Sequence, residues 1–444
     1  MRLKGGWVFI FSLFFTLGIF LLGYCLPRTS FNLSLAVFSG CFILYWKLYQ
    51  MAGSAVSWKW LVGLAVVLRL ILVFSMPQWS DDYARFLWDG QLVAEGYNPY
   101  TLTPSEAKEQ LDFRSEEFMG QLFPVLNSPD YHSVYPPTNQ VVFFLASFLS
   151  GGDILKGVVI IRLILLVFEL LVFYLIFLLL RLFDQPEKKL LLYALNPMVI
   201  MEVAGNLHFE GMMLLMILVS IYFLYRGRFG ISGGSLAAAV AVKLSPLILF
   251  PAFLNRLPRK RRLRYLFAAA FILLITLGPL VGSAFPGFGK SLSLYSDTFE
   301  FNASLYYLFR QLGYWTAGYN VIEILGPMLK VLTLILILTV SFRGRKKDTQ
   351  GFLQVLLMIY WVYFLLNTVV HPWYLIPAVG ISVFTEKKAF LIWSFLVILS
   401  YHAYQSQPYV ESSTLLVLQY LGVGIALWKD GFHRQIAAMV KQIR

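Results

Sequence analysis

Three carboxylates and one arginine crowd the run Ser80-Asp81-Asp82-Tyr83-Ala84-Arg85-Phe86-Leu87-Trp88-Asp89-Gly90, directly after a long apolar stretch. At a membrane surface, such a carboxylate can take a proton from an acceptor hydroxyl while the bilayer supplies the second substrate. The bland alternative is a solvated turn in which Ser80 or Asp81 caps a helix beginning near Tyr83. Further on, Asn196-Pro197 is followed by Glu202, Asn206, His208 and Glu210. Helical spacing would put Glu202 and Asn206 on one face, with His208 as the proton-active or hydrogen-bonding group. Lys243, in Lys243-Leu244-Ser245-Pro246, is a cation within an apolar stretch. It is expensive at membrane depth unless it has a partner, and a lipid phosphate head group would be one. Asn302, Asn367 and His371-Pro372-Trp373-Tyr374 complete the set. Trp373 and Tyr374 read first as interfacial anchors.

The elements that must carry these residues are membrane helices. The chain has 444 residues, 59% apolar and only 13% charged, with a mean hydropathy of +0.70, whereas soluble domains are about a quarter charged. Apolar runs of roughly 20 residues recur without period-two alternation, which excludes an outer-membrane barrel as well as a disordered or collagenous chain. The runs fall near 7–24, 31–50, 58–76, 157–180, 190–204, 208–225, 264–284, 321–342, 351–367, 373–384, 389–404 and 412–428. Cys25 and Cys41 have no metal-ligand spacing and read as packing residues.

Eight basic clusters, near 2–4, 47–59, 181–189, 226–228, 256–264, 343–347, 387–388 and 429–444, hold 25 of the 36 lysines and arginines and mark the cytoplasmic face. The net charge of +13 is thus membrane topology and not a nucleic-acid footprint. The segment 77–137 then lies outside, with ten acids against Arg85, Lys108 and Arg114. The stretch 138–150 is too short to span and reads as a re-entrant or interfacial helix. The stretch 231–255, with arginines on both sides, must go in and return, breaking at Lys243-Leu244-Ser245-Pro246. Arg69, Arg162, Glu169 and Lys330 lie inside apolar runs and read as interhelical pairs or snorkelling groups. The expected architecture is all-α, a polytopic bundle of about 12–14 membrane segments. It forms a single transmembrane domain over 1–444, with the large extracytoplasmic loop 77–137 inside it.

The ordered set of motifs resembles the GT-C superfamily of membrane glycosyltransferases that use polyprenyl-phosphate sugars, and especially its mannosyltransferases. The matching pieces are the run at 81–90, Gly96-x-Asn98-Pro99-Tyr100, Tyr135-Pro136-Pro137, Asn196-Pro197 with Glu202, Asn206 and His208, Lys243-x-Ser245-Pro246, and His371-Pro372-Trp373-Tyr374. The resemblance implies a base in the first large outer loop, carried to Asp82 with Asp81 as the alternative. It makes Arg85, Asp89, Glu202, Asn206, His208, Lys243, His371 and Tyr374 substrate-binding candidates. Two helices precede the one leading into the loop, where many members have none, and Glu210 stands where related sequences often carry aspartate.

The implied reaction is a single inverting displacement at the anomeric carbon of a lipid-phosphate sugar, most simply mannose, with Lys243, His208 and His371 stabilising the leaving phosphate. The acceptor is a lipid, glycan or protein hydroxyl, and the setting is a bacterial inner membrane with the site on its extracytoplasmic face. No cofactor is implied, and the paired carboxylates leave a divalent cation open without establishing one. The rivals are a transporter or flippase of lipid-linked glycan, to which the intramembrane charges and broken hairpin belong equally well, and an O-antigen-type ligase.

Overall fold

The computed structural model describes residues 2–282, 284–343 and 348–434, apart from the side chains of 2–5 and 294–297. The basic side chains near 2–4, within 344–347 and beyond 434, and the run 295–297, therefore lie outside the described residues. The chain runs α1 (Arg2–Tyr24), α2 (Phe31–Met51), α3 (Trp58–Ile71), α4 (Asp82–Ala94), α5 (Pro104–Gln110), α6 (Glu116–Leu122), α7 (Pro137–Ser150) and α8 (Ile154–Leu182). Its second part comprises α9 (Leu191–Ala194), α10 (Pro197–Val199), α11 (Glu210–Tyr225), α12 (Phe229–Val242), α13 (Phe250–Arg256) and α14 (Arg259–Leu277). Then come α15 (Ala284–Thr298), α16 (Leu305–Ala317), α17 (Ile322–Arg343), α18 (Thr349–Leu366), α19 (Ile376–Ser382), α20 (Ala389–Leu396) and α21 (Ser413–Lys429). The protein is an all-α polytopic membrane bundle. Among the described residues six helices, α1, α2, α8, α14, α17 and α18, are long and apolar enough to cross a bilayer by themselves.

The remaining apolar runs are broken, and the breaks have local causes. The run 190–204, expected as one helix, is interrupted at Asn196-Pro197, because proline has no N–H to continue the ladder. Asn196 restarts the chain by accepting from the Met198 N–H at 3.0 Å. A wide π turn follows over Ile200–Gly205, and the chain bends by 113° into α11. The expected helix over 58–76 likewise stops at Ile71. Its last carbonyls find other donors: Tyr24 reaches Ile71 O at 2.8 Å and Arg162 reaches Val73 O at 2.6 Å.

The stretch 231–255 does go in and return. Past α12 the backbone is extended at Lys243 (φ −155°, ψ 137°), and a 3₁₀ turn over Ser245–Leu249 leads into α13. Arg256, at the end of α13, sits 5.7 Å from the ring centroid of Tyr225, four residues before α12 begins at Phe229. Members of several basic clusters meet at this same end. Lys189 pairs with Glu386 at 2.5 Å, while Lys188 and Lys388 lie over the rings of Tyr49 and Trp46.

Loop helix α4 is pressed onto α7. A Cβ at Gly90 would lie 2.1 Å from the Phe143 carbonyl oxygen, so only glycine allows this approach. Phe86 stacks on Phe143 with centroids 4.6 Å apart. The charges expected inside the bundle are paired across helices: Arg69 meets Glu169 at 2.8 Å, and Tyr193 Oη donates to the same carboxylate at 2.6 Å. Arg162, 1% exposed, donates to three carbonyls, Val73, Ala204 (2.5 Å) and Gly205 (3.1 Å). Lys330, by contrast, is exposed on α17. Arg162→Met should orphan those three carbonyls and cost on the order of 3 kcal/mol. Arg162→Lys should recover only part of that, because an ammonium cannot present a planar fork of donors. Thermal unfolding of the detergent-solubilised chain checks both; equal melting of the methionine variant and wild type would refute the role.

Candidate active site

The segment entering α4 places the two adjacent aspartates differently. Asp81 occupies the N-cap position, yet its side chain caps nothing; its Oδ2 accepts from the guanidinium of Arg28, in the turn between α1 and α2. That guanidinium also lies 4.7 Å above the Tyr404 ring and 5.8 Å from that of Tyr409. Asp82 is half-buried, and Asn127 Nδ2 donates to its Oδ1 at 3.1 Å. Arg85 and Asp89 turn inward. They pair at 2.7 Å, Arg85 holds the Tyr131 carbonyl at 2.9 Å, and Asp89 accepts from Ser133 (2.5 Å) and Gln140 (3.1 Å). This network ties the returning part of the loop to α4 and α7.

Across the π turn, Glu202 and Asn206 do meet, at 3.1 Å, with a five-residue backbone step from Asn206 N to Met201 O. Tyr401 Oη fills the other Glu202 oxygen at 2.6 Å, and Asn206 Oδ1 accepts from the backbone N–H of Trp79 at 3.3 Å. Only Ser80 therefore separates the Glu202 network, at Trp79, from Asp81. His208, 3% exposed, lies 3.4 Å from Glu202 and stacks face to face on Trp373, centroids 3.8 Å apart. His371 stacks on Trp373 with centroids 4.3 Å apart, and Phe301 stacks on His371 at 4.7 Å. Four rings, His208, Trp373, His371 and Phe301, thus make one pile. Its end is fixed by backbone: Phe301 N–H donates to Thr368 O at 3.0 Å and Val370 N–H donates to Phe301 O at 2.9 Å.

Lys243, from the break of the returning hairpin, pairs with Glu210 and sits 4.1 Å over the Tyr374 ring. Its side chain stays 33% exposed while that of Glu210 is 3% exposed, so the carboxylate is the buried member of the pair. The carbonyl just before the break, Val242 O, accepts from Asn139 Nδ2 at 3.1 Å, next along α7 to the Gln140 that holds Asp89. Seven of the ten residues singled out from the sequence join in one run of contacts, from Asp81 through Arg28, Tyr404 and Phe301 (5.7 Å between the latter rings) to His371, and on to Tyr374 with Lys243 and, through Trp373, to His208, Glu202 and Asn206; Asp82, Arg85 and Asp89 are joined to one another through Asn127 and Ser128.

Sequence reasoning passed over Arg28, Glu210 as the partner of Lys243, and the stacking role of Trp373. Arg28 carried a usable signal, since it is an arginine in a turn on the face that the basic clusters leave bare. Among the described residues no group of three His, Cys, Asp or Glu side chains could hold a metal ion.

Residues 15–257 match the family described as alpha-(1->6)-mannopyranosyltransferase, N-terminal domain. The chain belongs to this family. It is also 26% identical over 235 residues to alpha-(1->6)-mannopyranosyltransferase A of Mycobacterium tuberculosis (strain ATCC 25618 / H37Rv), an alignment that covers 51% of this chain and 43% of the relative. The chain thus matches less than half the length of that relative. The family match takes in the loop aspartates, the π turn and Lys243, and leaves the segment carrying His371, Trp373 and Tyr374 beyond it.

Electrostatically the candidate residues divide into carboxylates on the outer loop and a cationic, aromatic group around Lys243. His371 lies in the loop after α18, outside the helical spans; desolvation, then Lys243 and His208, hold its imidazole well below the ordinary range. A histidine depressed in the folded state costs stability once pH falls below its unfolded value of about 6.5. Between pH 7 and pH 5 the melting temperature should therefore fall more for wild type than for His371→Asn; parallel loss in both would show that protonation of this ring does not matter.

Proposed function

We propose that the chain is a glycosyltransferase moving a mannosyl unit from a polyprenyl-phosphate donor to an acceptor hydroxyl, at the end of the bundle opposite the basic clusters. The observation that carries the reading is that Lys243, its side chain 33% exposed, reaches His371 and the His208–Trp373 stack through the Tyr374 ring, while the outer loop presents Asp82, half-buried and bonded to Asn127. Asp82 takes the proton of the acceptor hydroxyl, the acceptor oxygen forms its bond to the anomeric carbon, and the bond from that carbon to the phosphate oxygen breaks with its electron pair going to phosphate. Lys243 meets the developing phosphate charge, with the two histidines as donors or packing partners beside it. One displacement inverts, so a β-linked mannosyl donor yields an α-mannoside, in keeping with the linkage in the relative's name.

Arg85, Asp89, Glu202 and Asn206 act in this reading by holding geometry around the substrates, since each is already bonded within the protein. Tyr374 aligns Lys243 through its ring. With basic clusters cytoplasmic, the site opens on the extracytoplasmic face of a bacterial inner membrane. The acceptor is a lipid, glycan or protein bearing a free hydroxyl.

Membranes containing the chain should transfer radiolabelled mannose from polyprenyl-phosphate mannose to acceptors in a host extract. Asp82→Asn at matched expression should lower the rate by about 10²-fold or more. Absence of transfer from mannose, glucose, galactose and arabinose donors would favour lipid-linked glycan transport instead.

A further inference from the structure

Asp81 and Asp82 are neighbours in sequence and equally able in principle to accept a proton. The structure separates them through one residue. Arg28 pairs with Asp81, and two further chain segments hold the residue in place. Its own backbone N–H donates to Gln78 O at 3.1 Å, the Tyr404 face lies 4.7 Å away, and the Tyr409 hydroxyl is 3.4 Å from Nη2. The side chains of Arg28 and Asp81 are 19% and 31% exposed, a setting in which an ion pair contributes little to stability but still shapes local potential. Two adjacent carboxylates oppose each other's ionisation, and an opposed cation removes that penalty.

We infer that Arg28 is a positioning residue that selects the base: by engaging Asp81 it leaves Asp82 as the carboxylate free to take the acceptor proton, and it ties that choice to the segment 404–409. The inference rests on the transferase reading. Asp81 and Tyr83 flank Asp82 on its own element, Arg28 approaches through Asp81, and Tyr404 and Tyr409 approach through Arg28. From the loop, Asn127 faces it, and the nearest other arginine in sequence, Arg85, is committed to Asp89. Among the described residues, Arg28 forms the one ion pair made by either loop aspartate, Asp81 or Asp82.

The test compares wild type, Arg28→Lys, Arg28→Ala and Arg28→Ala/Asp81→Asn, each as the purified chain in detergent, by the pH profile of kcat/KM for mannosyl transfer. Losing the guanidinium exposes Asp82 to an unopposed neighbouring charge. The acid limb should therefore move up by about one pH unit in Arg28→Ala. It should return near the wild-type position in the double variant, where the neighbour is neutral, and stay close to it in Arg28→Lys. A purely structural role would lower the rate without moving the limb, and the double variant would rescue nothing.

An unmoved limb in Arg28→Ala, or equal shifts in the single and double variants, overturns the inference while leaving the transferase reading intact. If wild type transfers nothing, that reading fails separately. The same comparison then runs on water-soluble carbodiimide labelling of Asp82, mapped by mass spectrometry against pH. Half-labelling should again move up in Arg28→Ala alone, and an unchanged labelling curve would overturn the inference without reference to turnover.

Discussion

Backbone that leaves the helix inside a membrane protein must find its hydrogen bonds within the protein, and Arg162 is where this chain meets that constraint. Buried on α8, it donates to carbonyls of Val73, Ala204 and Gly205, joining the end of the third apolar run to the π turn. With those acceptors served, the chain can bend by 113° and bring Glu202, Asn206 and His208 together. A regular helix over the same residues would carry His208 away from Glu202, since positions six apart lie on different faces. The ring pile built on His208, and the Trp79 contact that links the loop to Asn206, follow from this bend.

The second break obeys the same rule by a different device. Val242 would lose the partner of its carbonyl where α12 stops, and Asn139 supplies one. Because Asn139 and Gln140 are adjacent on α7, the helix that steadies the Lys243 break also holds Asp89. Gly90 lets α4 come close enough for this, so the carboxylate loop and the Lys243 break share one support. Charge at that break is managed by pairing: Glu210 is buried against Lys243, whose side chain remains partly exposed. Removing either member of such a pair strands the other, which explains why a carboxylate belongs at position 210 whether or not it touches substrate.

How much of this could be read from the residues follows from which forces are local. Lys243-Leu244-Ser245-Pro246 announces its break, because a missing proline N–H is a property of the chain itself; Asn196-Pro197 carries the same local signal, yet the apolar run 190–204 read through it as one helix. The six long spans, the return of 231–255 and the inward-facing Arg69, Arg162 and Glu169 were legible from apolar run length and the cost of an unpartnered charge. The stop of α3 at Ile71 was not, since the donors that relieve its carbonyls come from Tyr24 and Arg162, far away in sequence. Trp373 read as an anchor for the same reason. Its two imidazole neighbours lie on either side of it only after the fold has formed, and nothing in the spacing of His208 and His371 reveals that.

The N-terminal hairpin, absent from many relatives in the superfamily that the sequence resembles, acquires a purpose in this frame. α1 and α2 pack on each other so closely that a Cβ at Gly18 would lie 2.4 Å from Cys41 Sγ, and their turn delivers Arg28 to Asp81. On the way it engages the tyrosines of the segment before α21, so the first and last parts of the described chain meet at the loop mouth. The Asp82 side chain could be oriented by α4 alone, but its electrostatic setting could not, because no residue of the loop opposes the charge of Asp81. A hairpin that brings one arginine from outside the loop solves that without adding a cation to the loop itself, where it would compete with Arg85 for Asp89.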